Sequence, residues 1–140
     1  MAKTLISTLP FGEINRLPLD LLEKAGIQYL INPYEKKLTE DQLSELISDF
    51  DVLIAGTEPI TDKVMSQAQK LKFISRVGIG LDNVDLIAAK KRGIKVSYTP
   101  DAPAPAVAEL TLSMMLTLLR SVHVSNQQMR QGKWKRIFGR

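Results

Sequence analysis

Five short apolar runs, separated by similar intervals, constrain the fold of this 140-residue chain more than any other feature. The runs are Thr4–Leu9, Gln28–Ile31, Val52–Ala55, Phe73–Val77 and Ile94–Tyr98. Most are continuously apolar rather than alternating, which is typical of strands buried on both faces of a parallel sheet. The runs therefore predict five parallel strands.

Each interval between the runs carries residues that begin or end helices. The expected starts are Pro18, Thr39 in a capping box with Gln42, Thr61 and Asn83 (capping 84–92), and the expected ends are Gly26 and Gly93. Strands that alternate with helices through right-handed crossovers form a doubly wound sheet. We therefore predict a flavodoxin-like α/β fold with strand order 2-1-3-4-5, followed by a long C-terminal helix.

That last helix is expected to run from Pro105 to about Gln131. Its apolar residues form one stripe and also fill much of the remaining surface: Val107, Leu110, Met114, Leu118 and Val122, then Leu112, Met115, Leu116 and Leu119. A helix that is apolar on most sides must be buried on most sides. We interpret it as a surface that meets a second subunit or a further domain, with a methionine-rich core helix as the alternative.

Charge and composition limit the possible functions. Residues 110–140 contain six Lys or Arg and no acidic residue, although the net charge is only +4. A basic end can bind nucleic acid, but the apolar character of the same segment favours a protein interface, so no nucleic-acid partner is expected. The chain has no cysteine and a single histidine, His123 on the apolar helix. No spacing suggests a metal site.

The N-terminus does not resemble a signal peptide, because its short apolar stretch is interrupted by Ser7 and Thr8. No run approaches the roughly 18 to 20 apolar residues that a membrane-spanning helix needs. The expectation is a cytoplasmic protein with no membrane partner.

The loop after the fourth run is the clearest candidate binding site. Gly78 and Gly80 flank Ile79 between a strand and a helix, and ligands of open α/β sheets bind at the carboxyl ends of strands. Glycine lets the backbone approach a ligand, so the N–H groups of this loop suit an anion such as a carboxylate. A dinucleotide motif would need a third glycine where Asn83 stands. A tight turn without a ligand is the alternative.

The segment from Ile74 to Asp85, ISRVGIGLDNVD, closely resembles the D-isomer-specific 2-hydroxyacid dehydrogenases of the phosphoglycerate dehydrogenase type. The match continues through Arg92–Val96, Thr99-Pro100, Ala106–Leu110 and Gly132-Lys133-Trp134. The resemblance implies an NAD-dependent enzyme of two α/β domains, in which the second domain carries the cofactor motif and a catalytic Arg, Glu and His. None of these has a counterpart in this chain. It is therefore interpreted as the N-terminal substrate-side part, inactive alone, with no catalytic or cofactor-binding residue.

Carried over by position, the resemblance assigns the substrate carboxylate to the backbone around Val77, Gly78, Ile79 and Gly80, and places Thr57 at the border of the same cleft. It also implies that the helix 105–131 joins two subunits of a homodimer. The domain division would be 1–104 for the substrate side and 105–140 for the interface helix and the start of the NAD-binding domain.

The identity of the 2-hydroxy acid stays open at this point. Many phosphoglycerate dehydrogenases have Arg-Ser, whose Arg helps to bind phosphate, where this chain has Gly56-Thr57, and many have Asn where it has Pro103. NAD and NADP are not distinguished. The alternatives are a stand-alone module that binds a small acid and dimerises, and a nucleic-acid-binding protein that uses the basic end.

Overall fold

The structure is a computed structural model that describes residues 2–140. It divides into two compact units, one ending at Pro100 and one running from Asp101 to Arg140. The functional division expected from the sequence, 1–104 and 105–140, stays a prediction.

The first unit is built on a five-stranded parallel sheet. The strands are β1 (Lys3–Ile6), β2 (Gln28–Ile31), β3 (Val52–Ala55), β4 (Phe73–Arg76) and β5 (Lys95–Ser97), in the order β2-β1-β3-β4-β5. Leu5 pairs with Leu53, and Leu53 pairs with Ile74. The predicted α/β fold and strand order are confirmed, although β1 ends at Ile6 rather than at Leu9.

Four helices connect the strands: α1 (Leu17–Lys24), α2 (Glu40–Leu46, followed by a 3-10 turn Ile47–Asp49), α3 (Asp62–Gln67) and α4 (Leu86–Lys91). The Thr39–Gln42 capping box forms as predicted at the start of α2. Thr61 caps α3 by accepting a hydrogen bond from the Val64 N–H. Gly93 follows α4 with φ +71°, a conformation that favours glycine.

The predicted cap of the fourth connecting helix is wrong. Asp85, not Asn83, caps α4, and its side chain accepts a hydrogen bond from the Ala88 N–H at 2.9 Å. The helix begins at Leu86 because the preceding backbone is held elsewhere: Ile60 donates to the Asn83 carbonyl and Asp85 donates to the Ile60 carbonyl. The Asn83 side chain is thereby left for tertiary contacts.

The core of the first unit lies between the sheet and its helices. Leu5, Leu53 and Ile74, from three adjacent strands, are completely buried. Helical residues that pack in the same core are Leu43, Val64, Ala88 and Ala89. Burial of a leucine or isoleucine contributes about 1.5 to 3 kcal/mol, so this core holds the strand ends, and the loops that follow them, in fixed positions.

The second unit contains two helices rather than the single helix predicted from Pro105 to Gln131. They are α5 (Ala104–Leu119) and α6 (Val122–Arg130), bent by 69° at Ser121, which has φ +54°. At the break the Arg140 N–H donates at 2.8 Å to the Leu119 carbonyl, one of the carbonyl groups that the end of a helix leaves without an intrahelical partner. No residue of α5 is buried.

Within residues 2–140, no single helix meets the length and hydropathy needed to span a membrane. The bent pair α5 and α6 meets that criterion only when the two helices are taken together.

Candidate anion-binding site at the carboxyl edge of the sheet

The predicted site residues lie in loops at the carboxyl ends of two neighbouring strands. Thr57 follows β3 and Val77 follows β4, and both line a depression of about 140 Å³. The Val77 N–H donates to the Ala55 carbonyl at 2.8 Å, which joins the two loops. The structure thus brings Thr57 close to the start of the loop 77–80, while the roles assigned to these residues stay predictions.

The four N–H groups of the loop 77–80 are not equally available. Val77 donates to Ala55, and Gly78 donates to the Thr99 hydroxyl oxygen at 3.3 Å. Among the residues that the structure describes, the N–H groups of Ile79 and Gly80 have no acceptor. Two consecutive free donors therefore remain at the carboxyl edge of the sheet, which is an arrangement suited to a carboxylate.

Glycine is required at position 78 for two reasons. The residue has φ +140°, in the region where L side chains are strained. A Cβ atom there would overlap Nη1 of Arg76 and lie 3.0 Å from its Cζ. The close approach places a guanidinium group directly against the loop.

Arg76 is a buried cation, only 7% exposed. Its Nε donates to Asn83 Oδ1 at 3.2 Å and its Nη1 donates to the Val77 carbonyl. No carboxylate pairs with it among the described residues. An unneutralised positive charge in a site of reduced dielectric favours an anion nearby.

Asn83 connects the loops that follow β3 and β4. Its Nδ2 donates to the carbonyl oxygens of Gly56 at 3.1 Å and Glu58 at 2.7 Å, while its Oδ1 accepts from Arg76. The hydrogen bonds of this amide therefore fix the loop after β3 and the Arg76 side chain relative to each other. Sequence reasoning missed this role, because no local pattern reveals contacts with residues so far along the chain.

Thr99 holds the same loop from the side of β5. Its hydroxyl donates to the Arg76 carbonyl at 3.1 Å and accepts from Gly78, and its N–H donates to the Gly78 carbonyl at 3.0 Å. The resemblance included Thr99 in its match but gave it no role. These bonds tie Gly78 to the segment after β5, while the N–H groups of the next two residues stay without an acceptor among the described residues.

Glu58 is a second group that sequence reasoning missed. Only 2% of the residue is exposed, and its Oε1 accepts hydrogen bonds from the Ser7 hydroxyl and from the Gly56 N–H, the latter at 2.8 Å. A charged residue is seldom buried unless it is hydrogen-bonded. Here the partner Ser7 lies 51 residues earlier in the chain.

Two carboxyl groups with lowered pKa, those of Asp49 and Asp51, lie at the opposite end of the strands. The Lys72 ammonium, followed by the Lys3 backbone N–H, lowers the pKa of Asp51, and the Lys70 ammonium lowers the pKa of Asp49. The Lys70–Asp49 pair is exposed and the Lys72 ammonium is too, although Asp51 itself is partly buried, so these pairs stabilise the amino edge of the sheet only weakly.

A larger depression, of about 600 Å³, lies between α3 and α4. Its carboxylates already have partners, since Asp62 pairs with Arg92 at 2.8 Å and Asp85 caps α4. Among the described residues no group of His, Cys, Asp or Glu side chains could hold a metal ion. His123 and Trp134 lie in the second unit and are both exposed. The carboxyl edge of the sheet therefore remains the candidate site.

These features agree with a known class of proteins. The family model of the D-isomer specific 2-hydroxyacid dehydrogenase catalytic domain matches residues 9–133. This chain therefore belongs to the D-isomer specific 2-hydroxyacid dehydrogenase family.

Two relatives and one solved structure show how much of the family this chain represents. It is 38% identical over 123 residues to the hydroxypyruvate reductase of Thermotoga maritima, covering 84% of this chain and 40% of that protein. It is 43% identical over 101 residues to the D-3-phosphoglycerate dehydrogenase of Methanocaldococcus jannaschii, covering 71% of this chain and 19% of that protein. The NAD+-bound 3-phosphoglycerate dehydrogenase of Entamoeba histolytica superimposes with a TM-score of 0.79 at 29% identity, over 99% of this chain and 42% of that one.

The chain thus spans at most about two fifths of the length of these relatives.

Proposed function

We propose that this chain is the substrate-side domain of an NAD-dependent oxidoreductase that interconverts a 2-keto acid and a D-2-hydroxy acid. In this proposal the N–H groups of Ile79 and Gly80 bind the substrate carboxylate. The observation that carries it is the pair of consecutive N–H groups without an acceptor at the carboxyl edge of the sheet.

Electrostatics favour the same assignment. The buried Arg76 guanidinium lies against Gly78 and has no carboxylate partner among the described residues. A hydrogen bond to a charged group contributes about 1.5 to 3 kcal/mol. Two such bonds beside a buried cation are enough for weak binding of a small acid, with Kd on the order of a millimolar.

The residues of this chain would bind and orient the substrate rather than carry out the chemistry. NAD, when bound, accepts or supplies the hydride at the substrate's C2 carbon. The glycine loop of this chain does not fit a dinucleotide, because Asn83 replaces the third glycine and its side chain is bonded to the loop after β3. Cofactor binding and the acid/base group are therefore assigned to a further domain of a longer protein. This chain would form one wall of the substrate cleft in that protein.

Homodimerisation through the apolar surface of α5 is part of the proposal. Its side chains are largely exposed, for example Leu110 at 62% and Leu118 at 67%. A contiguous apolar surface of this kind marks a protein interface. The cytoplasmic location expected from the sequence also stays a proposal, which cell fractionation checks.

Carboxylate binding is tested on the 140-residue chain by a 15N–1H correlation titration with D-lactate. We expect the largest shift changes at the amides of Ile79 and Gly80 and small changes at Val77, whose N–H is already bonded. D-lactamide is the matched control, because it keeps the size and the hydroxyl but lacks the negative charge. Equal responses to the acid and the amide, or shifts remote from this loop, would refute carboxylate binding here.

A chimera tests the assignment to the enzyme. The segment of the Thermotoga maritima hydroxypyruvate reductase that aligns with this chain is replaced by residues 1–140, and NADH oxidation with hydroxypyruvate is followed. We expect activity in the chimera and none in the 140-residue chain alone. A folded chimera without activity, as judged by circular dichroism, would count against the proposal.

A further inference from the structure

The carboxylate of Glu58 has one oxygen atom that the fold does not use. Oε1 accepts from Ser7 and Gly56, whereas Oε2 accepts no hydrogen bond among the described residues. No fully enclosed side-chain oxygen or nitrogen atom in this part of the chain lacks a partner. Oε2 is therefore not fully enclosed, and Glu58 lines a depression beside it.

The depression is small, and its lining combines polar groups with the apolar side chains of Leu9 and Val77. Its wall includes Thr8, Gly56 and Thr57, and its volume is about 140 Å³. A water molecule takes up about 30 Å³ in the liquid, so the depression has room for a short substituent. Lys37 also lines it and is exposed.

Gly56 keeps the oxygen atoms of the depression uncovered. A Cβ atom on this residue would lie 2.8 Å from Thr8 Oγ1 and 2.9 Å from Glu58 Oε2. Both oxygen atoms thus border one point that only a glycine leaves open. A hydrogen-bond donor can bind between these two oxygen atoms, whereas an anion there would be repelled by the buried carboxylate of Glu58.

We propose that Glu58 determines substrate specificity by accepting, at Oε2, a hydrogen bond from a hydroxyl group on C3 of the substrate. The preferred substrates would be 2-keto or 2-hydroxy acids with a C3 hydroxyl, ahead of acids with a C3 methyl group or a C3 phosphate. The inference rests on the proposed function, with the carboxylate at Ile79 and Gly80. Val77 lines the depression two residues before Ile79, so the two binding places adjoin.

The expected effects follow from the chemistry of one hydrogen bond and one charge. A hydrogen bond that is partly open to water should raise the affinity for D-glycerate over D-lactate by about three- to tenfold. The exposed Lys37 ammonium is screened by water, whereas Glu58 is buried, so repulsion by Glu58 should outweigh attraction by Lys37 and 3-phospho-D-glycerate should bind more weakly than D-glycerate. A purely structural role of Glu58 predicts neither preference.

The test measures Kd for these three acids with the 140-residue chain, from the amide shifts of Ile79 and Gly80. Glu58→Gln keeps an acceptor for Ser7 and Gly56 but removes the charge. It should lower the preference for D-glycerate and strengthen binding of 3-phospho-D-glycerate several-fold, while D-lactate binds as before. Glu45→Gln, which neutralises an exposed carboxylate on α2, is the matched control and should change none of the three.

The wild-type order of affinities stands as a test even if Glu58→Gln does not fold. Equal affinities for D-glycerate and D-lactate, or tighter binding of 3-phospho-D-glycerate, would overturn the role of Glu58 while carboxylate binding at Ile79 and Gly80 survives. An absence of shifts at these two amides with every acid would overturn the proposed function, and the specificity with it.

Discussion

Replacement of Gly78 by alanine is predicted to destabilise the first unit more than the same change at Gly80, two residues further along the loop. Gly78 combines φ +140° with a close approach to the guanidinium of Arg76. Gly80 has neither constraint, because a Cβ atom there meets only the exposed Asp82 side chain, 2.7 Å from Oδ1, which can rotate away.

Two contributions add to the cost at position 78. A residue other than glycine in a sparsely populated backbone region costs about 1 to 3 kcal/mol. The added methyl group also displaces Arg76, whose Nε–Asn83 bond at 3.2 Å is then lost, and a buried polar group that loses its partner costs about 1 to 3 kcal/mol. Together they predict a loss of about 2 to 6 kcal/mol in the free energy of unfolding, against less than about 1 kcal/mol for Gly80→Ala.

Urea denaturation of the wild-type chain and of the two variants measures these losses by linear extrapolation. A titration with D-lactate under native conditions then reports the site. We expect Gly78→Ala to weaken acid binding as well, since movement of Arg76 removes the buried cation from the loop. If Gly78→Ala is no less stable than Gly80→Ala, the argument from backbone conformation and Arg76 contact is wrong.

Three further predictions concern the links around the site, the amino edge of the sheet and the second unit. Asn83→Ala should cost about 2 to 4 kcal/mol of unfolding free energy because it breaks three hydrogen bonds. Asp85→Ala, which removes only a helix cap, should cost about 0.5 to 2 kcal/mol. If urea denaturation shows a larger loss of unfolding free energy for Asp85→Ala than for Asn83→Ala, the roles given to these two residues are wrong. Because the pKa of folded Asp51 is lowered, its pair with Lys72 stabilises the fold above the unfolded pKa of Asp51 and loses this effect as the pH falls through the folded value. Asp51→Asn should therefore lose less stability than wild type between pH 7 and pH 3, and identical acid dependence would contradict this. Leu110→Glu should shift the chain from dimer to monomer in sedimentation velocity, and an unchanged dimer would exclude this face of α5 from the contact.

The sheet could be predicted from the sequence because its cause is local. A run such as Val52–Ala55 is apolar at every position, and a buried parallel strand is the structure that uses such a run. The capping box at Thr39 is likewise complete within four residues. Once the strands are known to be parallel and the connections to be short, the right-handed rule for crossover connections leaves few possible strand orders.

The break after α5 coincides with a contact that no local pattern contains. Ser121 is neither glycine nor proline, yet it adopts φ +54°. The Leu119 carbonyl accepts from the Arg140 N–H, twenty-one residues further along the chain. Apolar periodicity predicted one helix because it records which side chains are apolar, not where the carbonyl groups find their donors.

Glu58 was missed, and Asn83 was assigned to a helix cap, for a related reason. A glutamate in a loop is normally solvated, and its burial here depends on Ser7, which the sheet brings next to it. Asn83 stands where a helix cap is expected, but its amide finds the Gly56 carbonyl 27 residues earlier. Polar residues at the carboxyl edge of a parallel sheet take their partners from neighbouring strands, which lie far apart in sequence.

The candidate site itself follows from the same dependence on neighbouring strands. The resemblance assigns the carboxylate to the backbone from Val77 to Gly80 as a whole, yet Ala55 on one side and Thr99 on the other accept from the first two N–H groups. The N–H groups without an acceptor among the described residues therefore begin at Ile79. The N–H groups of Val77 and Gly78 fix the loop to the segments after β3 and β5, and this leaves the N–H groups of Ile79 and Gly80 for an anion. The anion site therefore forms only when both neighbouring strands are in place.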